Sequence, residues 1–177
     1  ILKVEFVTPD VVRVQYTGEN TFIGNGTDVC LPRAVDNPVR WVYTPNPDCY
    51  LLKSDSLIVR VDLSTASITY LDKEGGLLLQ EDQNIPRISE KRVTKQVIYD
   101  EHSKHIEKTA DGDKEIKNVL RYDTIGHTWK YRINFKWQPL EALYGWGSHM
   151  EDYMNLRGKE LYLCQHNLKA MVPVLNS

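Results

Sequence analysis

The sequence predicts an all-β fold, an antiparallel β-sandwich. Three observations predict it. Short stretches with apolar residues at every second position recur from one end of the 177-residue chain to the other. Gly, Pro, Asn and Asp interrupt them at short intervals, as turns between antiparallel strands do. And no segment of ten or more residues carries the 3.6-residue period of an amphipathic helix.

Leu2-Lys-Val-Glu-Phe6 alternates apolar and charged residues, and Val12-Arg-Val-Gln-Tyr16 does so again after the turn signal Thr8-Pro-Asp10. The two read as a hairpin. The stretch 18–37, rich in Gly, Asn, Asp and Pro, is a loop. Val39, Trp41 and Tyr43 fall at period 2 between Pro38 and Pro47, which suits an edge strand. Leu57 to Leu63 is a strand that turns at Ser64-Thr-Ala66 and returns through Ser67 to Leu71. After a Gly-Gly turn, Leu77-Leu-Leu79 reads as a short buried run. Between Asp100 and Lys117 ten of eighteen residues are charged, which predicts a solvated hairpin turning at Asp111-Gly112. Strand character resumes at Val119–Tyr122. Trp129 to Lys136 is the cleanest alternation, with Trp129, Tyr131, Ile133 and Phe135 on one face. Leu140 to Leu143 reads as one helical turn and Glu160 to Cys164 as a short strand. Val12, Val14, Val59, Val61, Ile68, Tyr131, Ile133 and Phe135 are the expected inward residues.

Composition is that of an ordinary globular chain, 41% hydrophobic and 26% charged. A formal net charge of −2 gives no overall field to draw nucleic acid. The apolar runs are far too short for a membrane span. The expected partners therefore include neither nucleic acid nor membrane. Both ends fall in strand-like sequence, so residues 1–177 are expected to be a single domain of a longer protein. Of three cysteines, Cys30 and Cys49 are the pair to consider for a disulfide, and their spacing does not fit a zinc site. Asn25-Gly-Thr27 is a formal glycosylation sequon. No internal repeat is seen.

Function points to Tyr144-Gly-Trp-Gly-Ser-His-Met-Glu-Asp-Tyr-Met-Asn-Leu-Arg-Gly-Lys159, which packs three glycines and three aromatics into sixteen residues. The glycines at 145, 147 and 158 permit positive φ or close backbone approach. The stretch reads as a binding loop between strands. Trp146 is the candidate sugar or interface aromatic, because a ring covers the apolar face of a pyranose. His149 and Glu151 invite an acid/base reading; against it, both residue types also tie down glycine loops. His102 and His105 stand three apart, but a metal site needs further ligands, and no metal or cofactor is expected.

The residues also resemble a family. Lys3-Val-Glu-Phe, Val12-Arg-Val, Ile68-Thr-Tyr-Leu-Asp-Lys-Glu-Gly75, Glu141-Ala-Leu-Tyr-Gly-Trp-Gly-Ser-His149, Asn155-Leu-Arg-Gly-Lys159 and Pro173-Val-Leu-Asn-Ser177 are similar to the N-terminal domain of glycoside hydrolase family 31, the α-glucosidases and α-xylosidases. Trp146 and Ser148 depart from the family's usual residues. The resemblance implies a galactose-mutarotase-like supersandwich and a C-terminal (β/α)₈ barrel in the same chain. That barrel carries the two carboxylates of a retaining mechanism, which lie ~5–5.5 Å apart. It implies no catalytic residue here, a carbohydrate substrate, and a periplasmic or extracellular location rather than a cytoplasmic one. The loop implied to reach that substrate is Gln165-His166-Asn167, with Asn167 where several relatives place an aspartate. With Trp146 and His149, these are the candidate substrate-binding residues. The competing expectation is an independent carbohydrate-binding or adhesive β-sandwich with no enzyme attached.

Overall fold

A computed structural model describes residues 1–22, 38–148, 150–165, 167 and 169–177. The chain falls into two compact units, Ile1–Phe135 and Lys136–Ser177. Cys30 and the sequon lie outside the described residues, and with them the Cys30–Cys49 pairing.

The first unit opens with the expected hairpin. β1 (Leu2–Thr8) and β2 (Val11–Tyr16) pair antiparallel, with Val4 opposite Val14 and Phe6 opposite Val12. A five-stranded antiparallel meander follows, in sequential order: β3 (Val42–Pro45), β4 (Cys49–Lys53), β5 (Leu57–Asp62), β6 (Ile68–Asp72) and β7 (Leu77–Gln80). Period-2 alternation gives each of these two layers one apolar face, and those faces meet. Phe6, Val59 and Ile68 form the buried centre, with Val4, Val12, Val14, Leu52, Val61 and Tyr70 among the residues packed around it. Fully burying one such side chain contributes about 1.5–3 kcal/mol. The antiparallel sandwich is the fold, as the alternation predicts.

The turn from β5 to β6 is built on Asp62. Its Oδ1 accepts from Ser64 N (2.9 Å), Ser64 Oγ (2.6 Å), Thr65 N (2.9 Å) and Thr65 Oγ1 (3.0 Å).

The rest of the unit is ribbon. β8 (Arg87–Tyr99) pairs along its length with the fifteen-residue β11 (Val119–Ile133). Between them β9 (His105–Thr109) and β10 (Gly112–Ile116) form the expected charged hairpin, but it turns at Ala110-Asp111, one residue before the expected Asp111-Gly112, because Gly112 already pairs with Thr109.

Burial along the ribbon corrects the expectation. Tyr131, Ile133 and Phe135 are 44%, 53% and 46% exposed, not inward. Their alternation is real, but a two-stranded ribbon has no layer of its own to lay over that face. The end of β2 reaches part of it: Tyr16 meets Tyr131 edge-on at 5.9 Å, and Trp129 Nε1 donates to Glu19 Oε1 at 2.6 Å. Trp129 is thereby half-buried. Leu77 and Leu78 are likewise about half exposed rather than buried, because β7 is the sheet's edge strand.

The second unit holds β12 (Tyr144–Ser148) and β13 (Ala170–Asn176), paired antiparallel. Two further expectations fail here. Residues 140–143 make no helical turn: Leu140 has φ 61°, in the left-handed region, and ends a turn closed by Glu141 N donating to Gln138 O at 3.3 Å. Residues 160–164 form no strand. They alternate, but no ladder partner takes up their backbone groups among the described residues.

Candidate functional site

The stretch read as a binding loop begins as a strand. Gly145 pairs with Leu175 and Gly147 with Met171, so the single residue Trp146 faces three on β13: Val172, Pro173 and Val174. Pro173 has no N–H to give a ladder, which suits a place where pairing lapses. Gly145, Trp146 and Gly147 have φ of 115°, 59° and 96°. Three consecutive residues with positive φ depart from the extended backbone of a regular strand. The two glycines are required sterically. A Cβ on Gly145 collides with the carbonyl oxygen of Val174, and one on Gly147 with that of Ala170 and with Val172 N at 2.8 Å. Trp146 is held in a conformation that costs a non-glycine residue about 1–2 kcal/mol. Its side chain is half-buried.

The Asn155-Leu-Arg-Gly-Lys159 motif forms a turn tied to the segment before β12. Asn155 Oδ1 accepts from Arg157 N at 3.0 Å and from Leu143 N at 3.1 Å, an arrangement asparagine favours in turns. Leu156, the buried hydrophobic among the described residues of this unit, donates its N–H to Leu143 O at 2.7 Å. Arg157 donates to Glu141 O at 3.0 Å and lies 5.2 Å from the centre of the Trp137 ring. Gly158, at φ 72°, lets the chain reverse. An open groove of ≈ 520 Å³ lies beside this turn, lined by Tyr144, Gly147, Ser148, Glu151, Tyr153 and Leu156 among others.

The loop singled out through its resemblance adjoins the same hairpin. Gln165 is exposed, and its Oε1 accepts from the backbone N–H of Met171 on β13 at 2.9 Å. Asn167 is exposed in a turn. Lys169, at the loop's far end, donates to Glu151 Oε1 at 2.6 Å. Trp146, Gln165 and Asn167 therefore belong to one short hairpin and its connecting loop. His149 and His166 lie outside the described residues. Glu151, a tempting acid/base candidate, is engaged in the ion pair with Lys169, both side chains about three-quarters covered. His102 and His105 are exposed, His105 Nδ1 lying 3.0 Å from Ser103 O. Among the described residues no three His, Cys, Asp or Glu side chains are grouped to hold a metal.

Sequence reasoning missed the buried pair Glu81–Arg87 of the first unit. Glu81 also accepts from Ile68 N at 2.9 Å, and Arg87 donates to Ala66 O at 2.7 Å. A signal was available. Strand period carries the inward side of β7 from Leu79 to Glu81, so a carboxylate stands where an apolar residue is due.

The fold is that of an antiparallel β-sandwich domain. The chain belongs to the glycosyl hydrolase 31 N-terminal galactose mutarotase-like domain family, whose model matches residues 1–170. Among solved structures it is similar to the GH31 α-xylosidase from Xanthomonas citri, with a TM-score of 0.66 and 18% identity. That likeness, one of fold, covers 99% of this chain and 16% of the xylosidase chain. No described helix is long and apolar enough to cross a membrane.

Proposed function

We propose that this chain is the non-catalytic N-terminal domain of a retaining α-glycosidase acting on α-xylosides or α-glucosides. It packs on a C-terminal (β/α)₈ barrel of the same polypeptide and lends the Gln165–Asn167 loop to the rim of the carbohydrate site. The membership in the GH31 N-terminal family carries this reading. Two local features support it. Asn167 is exposed at a turn whose two sides are tied down, and Trp146 is presented half-buried on the adjoining bulge. An amide offers a sugar both a donor and an acceptor, where the aspartate of several relatives only accepts. Trp146, His149 and His166 are further candidate contacts. The chemistry itself belongs to the barrel's two carboxylates.

The test is kcat/KM of Asn167→Ala in the full-length enzyme, with folding checked in parallel. A loss of ~1–3 kcal/mol of transition-state binding is expected, as for a polar group deprived of its partner. An unchanged kcat/KM in a folded variant leaves Asn167 as a turn residue.

A further inference from the structure

We infer that Gln165 is a positioning residue rather than a sugar ligand: its side chain fixes the loop that presents Asn167. The inference rests on the proposed role of Asn167 and assigns a distinct one to its neighbour. Met171 sits opposite Gly147 on β13, and its N–H is taken up by the side chain of Gln165, six residues earlier, at 2.9 Å. A backbone N–H can only donate, so the group that meets it is the amide's oxygen. Gln165 thus closes the loop on the strand that follows it. On the other side of Asn167, the Lys169 ammonium is held 2.6 Å from Glu151 Oε1. Each brace lies two residues from Asn167. A hydrogen-bonded loop end presents its tip in one place, and a contact made by a fixed group loses less freedom on binding.

The requirement on Gln165 is therefore an acceptor oxygen at the end of its side chain. A sugar ligand would instead use the NH₂ as well. Three variants of the full-length enzyme separate these roles. Gln165→Met keeps the length and removes the acceptor. Gln165→Glu keeps the acceptor and removes the donor. Asn167→Ala removes the presented group.

Gln165→Met is expected to speed hydrogen exchange at the Met171 amide and to lower kcat/KM about tenfold, the scale of one lost hydrogen bond. Gln165→Glu is expected to restore the protection and most of the kcat/KM. Because Gln165 acts through Asn167, the double variant Gln165→Met/Asn167→Ala should be no worse than Asn167→Ala alone. Additive losses in the double variant overturn the inference, as does a Gln165→Glu enzyme as impaired as Gln165→Met. Unchanged Met171 exchange in Gln165→Met overturns it outright. If Asn167→Ala is without effect while Met171 exchange still responds, the brace stands and the sugar contact of Asn167 is what fails.

Discussion

Arg87 and Glu81 form an ion pair with side chains only 5% and 2% exposed, at the junction where the five-stranded sheet hands over to the ribbon. Burial pushes the Glu81 carboxyl upward, against the pull of the Ile68 N–H and the Arg87 guanidinium. The same surroundings act on Tyr70. Its phenol is pushed up to about 12, first by burial and then by the negative charge of Glu81, with Arg87 opposing.

Breaking such a pair costs more than replacing it, because one charge is left buried alone. Arg87→Met is expected to lower unfolding free energy by about 3–5 kcal/mol, and Glu81→Leu/Arg87→Met to recover most of that loss. Urea unfolding followed by tryptophan fluorescence measures both. If the single and double variants lose equally little, the pair is not the junction's anchor. Glu81→Gln should also lower the Tyr70 pKa, read by ultraviolet titration.

Asp62 sets an acid limit on the β5–β6 turn. Its carboxyl is held at about 2, against an ordinary 3.8, chiefly by the Ser64 hydroxyl and then by the Thr65 N–H and hydroxyl. The folded value lies below the unfolded one. The turn's contribution to stability is therefore full above pH ~4 and is lost as pH falls through about 2. An NMR titration of the Asp62 carboxyl carbon should show a midpoint near 2, and Asp62→Asn should flatten the acid limb of the stability curve. A midpoint close to 4 would sink the assignment.

Gly147 and Gly112 both have positive φ, 96° and 113°, yet they differ in surroundings. Nothing lies within 4 Å of a Cβ built at Gly112, whereas one at Gly147 strikes the β13 backbone. Gly112→Ala is expected to cost only the conformational strain, about 1–2 kcal/mol. Gly147→Ala has to part β12 from β13 as well, so a loss of about 3 kcal/mol or more is expected. Similar melting temperatures for the two variants would mean that β12 yields easily.

What the sequence made legible follows from how each element gets its pattern. β1, β2, β5 and β6 were readable because Val4, Phe6, Val12, Val14, Val59 and Ile68 alternate and are covered by a second layer. At the end of β11 and just past it the alternation was equally clear, but alternation reports a shared face and not what covers it; Tyr131, Ile133 and Phe135 stayed exposed. β12 was hidden because Gly145 and Gly147, which its positive-φ bulge requires, are residues that also read as loop. Of the candidate site, the glycines and the Asn-Leu-Arg-Gly-Lys turn were visible as residue types with special backbone uses. The Gln165–Met171 and Lys169–Glu151 contacts were not, since pairing across six and eighteen positions depends on how the chain returns from β12 to β13.

Trp146 offers a test of what covers the bulge in the proposed full-length glycosidase. Its ring is half-buried in this chain, and an interdomain contact typically buries ~600–1,500 Å². If the barrel lies over the bulge, the rest of the ring is covered there. Trp146→Ala is then expected to lower the melting temperature of the full-length protein more than that of residues 1–177. Trp146→Gly refines the comparison. It loses the same ring but relieves the left-handed strain at φ 59°, so it should be about 1 kcal/mol less costly than Ala in both settings. Equal losses in the two settings would make Trp146 a packing residue of its own unit. A Gly variant no better than Ala would mean that the bulge relaxes once the ring is gone.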